Sequence, residues 1–152
     1  MNSLPVAIQD FLNSTPYYPC LLLVHPRIER LHTVADELLG AYDWPRLSIG
    51  WELSETLLPI ELKRRPPKAA RWLEDRLNDF KPGPLLCTDI DLLFEPSLIL
   101  NPLTLLQSAS RITRLVALWP GTHQNGVLAY AIPEHAHYRT WRNPQLPIES
   151  LR

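Results

Sequence analysis

Cys20-Leu-Leu-Leu-Val24, followed at once by His25-Pro-Arg-Ile-Glu-Arg-Leu-His-Thr33, decides how the chain is read. Five apolar residues between Pro19 and Pro26 have the length and composition of a strand buried on both faces. From Ile28 the apolar period changes. Leu31, Val34, Ala35, Leu38 and Leu39 share one helical face, with Gly40 placed as the cap at its end. A buried strand running straight into an amphipathic helix is the repeating unit of an α/β domain.

The same alternation continues outward. Pro5 to Leu12 predicts a short helix, broken by Thr15-Pro-Tyr-Tyr-Pro19, and Pro45 to Ile49 predicts a second strand. Leu53, Leu57, Leu58 and Leu62 fit a helix interrupted by Pro59. Ala69, Trp72, Leu73, Arg76, Leu77 and Phe80 form the best amphipathic stripe, stopped by Lys81-Pro-Gly-Pro84. Leu85 to Asp91 reads as a third strand ending in carboxylates. Asn101-Pro102 starts a helix, cap then first position, and Arg114 to Trp119 is a fourth strand. Asn125-Gly126 before Val127 to Ala131 predicts a hairpin at the sheet edge. The expected fold is therefore a single α/β domain over residues 1–152, with a mostly parallel sheet and no separate lid. Residues 1–19 form an N-terminal helix and loop, and the polar, proline-broken residues 143–152 a poorly structured tail.

Composition narrows the chemistry. Sixteen prolines stand against five glycines, none of them within three residues of another, so a G-x-G-x-x-G dinucleotide fingerprint is excluded. Fifteen basic and sixteen acidic side chains give a net charge of -1, which offers no bulk attraction to nucleic acid. No apolar run approaches a membrane span, and Met1 to Pro5 lacks the basic and apolar regions of a secretory signal. Cys20 and Cys87 border apolar strands and read as buried free thiols, with the cytoplasm as the expected compartment.

Ligands of open α/β sheets collect at the carboxyl ends of strands. At the first such end, the G-x-x-x-x-G-K-[ST] phosphate-loop pattern lays His25 and Arg30 on the glycines, Leu31 on the lysine and His32 on the hydroxyl, with Thr33 next. Pro26 also lacks an N–H to offer a phosphate. Backbone approach, phosphate charge and magnesium ligand are each replaced, so His25, Pro26, Arg30, Leu31, His32 and Thr33 mark a degenerate nucleotide position. Asp89 and Asp91 end the third strand. On a strand they would share a face and hold a metal between them, or else serve as helix caps in a solvated loop. Lys63, Arg64, Arg65, Lys68 and Arg71 form a basic stretch suited to DNA phosphates or a neighbouring subunit, or to plain solvation. His123, His135 and His137 lack a zinc spacing, and G-x-S-x-G is absent.

Several phrases resemble the BrxF family, the small P-loop-containing protein of type 3 BREX bacteriophage-defence systems. They are Asp91-Leu-Leu-Phe-Glu-Pro96, Asn101-Pro-Leu-Thr-Leu-Leu106, Ser110-Arg111, Ala117-Leu-Trp-Pro-Gly121, Leu128-Ala-Tyr-Ala131, and His135 to Tyr138 before Arg139. Leu21 to Val24 and the helix after it fit the start of that family's nucleotide-binding core. The resemblance implies a three-layer, AAA-like P-loop core working beside a large ATPase, a PglZ-type phosphatase-like protein and a DNA methyltransferase. Such systems mark host DNA and block unmarked phage DNA. Here Trp119-Pro120 stands where related ATPases place a polar sensor, and with the altered phosphate loop this points away from ATP hydrolysis. No cofactor is assigned, ATP and magnesium belonging only to the alternative of an NTPase or phosphohydrolase using Asp89 and Asp91. A DNA-binding accessory module is the other alternative, and self-association is compatible with each.

Overall fold

The computed structural model describes residues 4–152. Met1, Asn2 and Ser3, part of the stretch weighed as a secretory signal, lie outside the described residues. Helix α1 (Leu4–Leu12) leads to strand β1 (Cys20–His25) and helix α2 (Ile28–Ala41), then β2 (Arg46–Ser48) and α3 (Ile49–Leu57). A 3₁₀ turn (Leu62–Arg64) enters α4 (Arg65–Asn78), followed by β3 (Leu85–Thr88), 3₁₀ turns at Ile90–Phe94 and Pro96–Leu98, and α5 (Pro102–Ser110). Strands β4 (Leu115–Gln124), β5 (Val127–Tyr130), β6 (Arg139–Arg142) and β7 (Ile148–Ser150) complete the chain.

Five strands pair in the order β2-β3-β4-β1-β7, and every pair in that row is parallel. Strand side chains alternate between two cores, as the period-2 pleat requires. Leu21, Leu23, Leu86, Val116 and Leu118 face α1 and α2, whereas Cys20, Leu22, Val24, Leu85, Cys87 and Ala117 face α3, α4 and α5. The result is three layers: helix, sheet, helix. Both cysteines are free and buried, and burial pushes the Cys87 thiol up to about 12. Asn101 caps α5 through its Oδ1, which accepts from the Thr104 N–H, and Pro102 follows at the first helical position as expected.

Four expectations change in the fold. Gly40 is not the helix cap: α2 runs on to Ala41 and stops where Tyr42 turns extended to stack on Trp44, ring centroids 4.4 Å apart. The third strand ends at Thr88, because Asp89 adopts left-handed backbone (φ 55) and Ile90 enters a 3₁₀ turn. The hairpin forms at Asn125-Gly126, both with positive φ, as a two-residue turn matched to strand twist requires. It does not sit at the sheet edge. Central strand β4 runs past its parallel partners, and its outer half pairs antiparallel with β5, which pairs with β6. Gly121 permits this fold-back, since a Cβ there would collide with the Ala129 carbonyl that also accepts the Trp119 indole N–H at 2.9 Å. Finally, the tail is structured. Ile148, Glu149 and Ser150 add β7 alongside Leu22, Leu23 and Val24, giving the otherwise open β1 edge its hydrogen-bond partners.

Candidate functional site

The carboxyl ends of β1, β2 and β3 lie on one side of the sheet and carry most of the residues singled out above. At β1, only Pro26 and Arg27 separate the strand from α2. A phosphate-cradling loop offers several free backbone N–H groups in succession. This turn has two residues: Pro26 has no N–H, and Arg27 donates its own to His25 Nδ1 at 3.0 Å. Leu31, at the lysine position, is buried in the core with Leu23 and Val34. Thr33 turns its hydroxyl onto the Glu29 carbonyl at 3.0 Å. Arg30 donates from Nε to the Arg152 carbonyl at 2.6 Å and lies 3.6 Å from Glu37. His25, Arg27, Arg30 and Arg152 border an open groove here. Partial burial, then Arg30 and Arg27, hold the His25 imidazole below its ordinary range.

The β3 end is different. Asp89 Oδ2 accepts the Ser48 hydroxyl at 2.6 Å and the Thr88 hydroxyl at 3.1 Å, and lies 3.6 Å from an Arg46 guanidinium nitrogen. Its other oxygen, Oδ1, is 3.5 Å from His32 Nε2. Arg46 also donates from Nε to Thr88 Oγ1 at 3.0 Å, closing a network across β2, β3 and α2. The Asp89 backbone is fixed as well: its carbonyl accepts the Gly50 N–H at 2.8 Å, and a Cβ on Gly50 would lie 2.6 Å from that oxygen. Partial burial would raise the Asp89 carboxyl. The Ser48 and Thr88 hydroxyls, Arg46 and His32 outweigh it and hold the group below the ordinary carboxylate range.

Asp91 does not share a strand face with Asp89, because the strand has already ended. It sits in the 3₁₀ turn and accepts the Tyr130 hydroxyl at 3.3 Å. Burial, reinforced by Asp91, pushes that phenol well above its usual value. Both carboxylates border one crevice with Ile28, His32 and Thr88, whose free volume of about 20 Å³ admits a water molecule and not a nucleotide. Among the described residues no group of three or more His, Cys, Asp or Glu side chains is arranged to hold a metal.

Lys63 and Arg64 occupy the 3₁₀ turn, and Arg65, Lys68 and Arg71 the first half of α4. Arg65 donates to the Ile60 carbonyl at 2.9 Å, and the structure joins none of the five to the strand-end network. Trp119, at the sensor position, is wholly buried, with Phe94 packed edge-on against it at 5.0 Å. Sequence reasoning missed Arg46, Ser48 and Gly50. Their signal appears only once β2 is known to run beside β3, with Ser48 in register with Thr88.

Fold and site together define an α/β domain with a mostly parallel sheet and a charge-compensated carboxylate at one strand end. No protein-family model, curated protein or solved structure matches the chain. Among the described residues no helix is long and apolar enough to cross a membrane.

Proposed function

We propose that the chain is an accessory subunit of a BREX-type bacteriophage-defence system, on a P-loop-like core in which protein side chains replace the nucleotide site. It acts through protein contacts and not through ATP hydrolysis. One observation carries this reading: His32 Nε2 lies 3.5 Å from Asp89 Oδ1. On the phosphate-loop pattern His32 takes the hydroxyl position, and Asp89 that of the acidic residue after an apolar strand. In P-loop NTPases those two groups hold magnesium between them. Here the His32 imidazole faces the carboxylate and the Arg46 guanidinium supplies its counter-charge directly, so the corner holds a cation of its own without an ion. A metal at Asp89 would have to displace both.

The sheet order supports the same core. Strand β4 lies between β1 and β3, as in the AAA-like arrangement that the family resemblance implies. Packing surfaces survive the loss of a phosphate loop, because fold and chemistry are separable. The partners are the large ATPase, the PglZ-type protein or the methyltransferase of such a system, with DNA as a further contact. The test is to express a tagged chain with its own neighbouring genes. Co-purification of at least one of these components, with no ATP turnover by the purified chain, is the expected result. Recovery of the chain alone, or magnesium-dependent ATP hydrolysis abolished by Asp89→Asn, would overturn the proposal.

A further inference from the structure

We infer that the chain pairs with a second copy of itself through the outer face of α3 and α4, by an isologous two-fold contact. This goes beyond the function proposed above and does not depend on it. Arg64, Lys68, Arg71, Asp75 and Asp79 recur along α4 and its two ends at spacings of four, three, four and four, which places them on one stripe. All five are exposed, opposite the buried Ala69, Leu73 and Leu77. The stripe is positive at its start and negative at its end. Among the described residues, Arg64, Lys68, Arg71 and Asp75 form no ion pair within the chain; Asp79 reaches Arg76 at 3.5 Å.

That polarity opposes the helix. A helix N-terminus favours acids and a C-terminus favours bases, yet the first turn of α4 has no acidic residue and carries cations. Local stability therefore does not account for the order of charges. An antiparallel second copy does. Turned head to tail about a point near Arg71, each Lys68 lies opposite the other copy's Asp75, and each Arg64 opposite its Asp79, which sets four opposite-charge pairs against the single like-charge contact of the two Arg71 at the axis. The apolar residues beside the stripe obey the same symmetry. Glu52 bonds Arg76 at 2.9 Å, which sets the start of α3 beside the end of α4. Trp51 (71% exposed) thus stands at the acidic end, and Leu58 (75%) and Leu62 (73%) at the basic end. The same rotation lays Trp51 of one copy against Leu58 and Leu62 of the other, removing three large apolar side chains from water.

Sedimentation equilibrium at low salt tests the inference. The wild type is expected at twice its 17.5 kDa chain mass. Lys68→Glu alone and Asp75→Lys alone should each weaken the dimer about tenfold or more, by setting like charges face to face. Lys68→Glu combined with Asp75→Lys should recover most of the affinity, since the complementarity returns with its sign reversed. Each single reversal also suits the helix end it occupies, so loss of the dimer is not loss of the fold; thermal melts at a dilution where the wild type is itself monomeric should be unchanged or higher. A wild type that stays monomeric at about 100 μM, in the range of weak contacts, would overturn the inference, as would a double variant no better than the singles. If Lys68→Glu instead abolishes only retention of a short DNA duplex while Asp75→Lys does nothing, the patch is a polyanion surface and the inference fails. A monomer that co-purifies with a defence component overturns it while leaving the proposed function intact.

Discussion

Two strand ends on the same side of one sheet are built in opposite ways. At β1 the turn into α2 is only Pro26 and Arg27, Leu31 of the following helix is buried in the core, and the surrounding groups mostly satisfy each other on the surface. At β3 a carboxylate, Asp89, stands at the strand end, held by two hydroxyls, Arg46 and His32. The first corner is packing; the second holds a charge and takes its counter-charge from the protein. A buried or half-buried carboxylate is costly unless paired and hydrogen-bonded. Keeping Asp89 therefore entails keeping its neighbours, whereas a backbone loop can be shortened without leaving an unpaired charge behind.

The largest effect expected from this contrast is at Leu31. Placing a lysine where a phosphate-loop pattern would have one, by Leu31→Lys, removes a buried side chain and puts an ammonium among Leu23, Val34 and Leu38. The loss should be about 3–5 kcal/mol in urea unfolding, the range of large core defects. Calorimetry should show no ATP binding gained, because the two-residue turn still offers no nest of N–H groups. Binding of ATP by this variant would break the comparison, showing the β1 corner to be a phosphate site short of one charge. Next is Asp89→Ala, expected to cost about 2 kcal/mol, since it strips Ser48 and Thr88 of their acceptor and Arg46 of its counter-ion. Asp91→Ala, losing only a long Tyr130 contact at an exposed position, should cost less than about 0.5 kcal/mol. Equal losses at the two positions would mean that the carboxylates act as a pair.

Much of this contrast is legible in the amino-acid sequence. Pro26, Leu31 and His32 alone show that the turn after the first strand lacks the groups of a phosphate loop, because each stands where that chemistry needs another residue. The strands and main helices follow from apolar periodicity and from proline punctuation. What stays hidden depends on contacts distant in sequence. The compensation of Asp89 comes from Arg46 and Ser48, some forty residues earlier, and becomes visible only with the parallel pairing of β2 and β3. Residues 143–152 read as a loose tail because their polarity and prolines suit a loop. β7 nevertheless forms, since β1 has an edge to pair and only three residues are needed to pair it. The end of β3 is obscured for a local reason: Asp89 tolerates left-handed backbone, a choice that a run of strand-like residues does not announce.

The smallest effect separates the two corners by pH. At β3, Asp89 has its folded value depressed below the unfolded carboxylate near pH 4. Its contribution is complete above that pH and is lost as pH falls through the folded value, because the unfolded chain binds the proton first. At β1, the His25 imidazole is depressed below its ordinary value near 6.5, so the unfolded chain again takes up the proton first, but in a higher window. Stability should decline as pH drops from just above 6.5 toward the folded value, then level off with respect to this group. Chemical denaturation at closely spaced pH values on the wild type, His25→Asn and Asp89→Asn resolves the two. His25→Asn should flatten only the near-neutral slope, its amide oxygen replacing Nδ1 as acceptor for the Arg27 N–H. Asp89→Asn should flatten only the acid limb. If Asp89→Asn also removes the near-neutral slope, the corners titrate as one network and the contrast between a packed turn and a compensated charge does not hold.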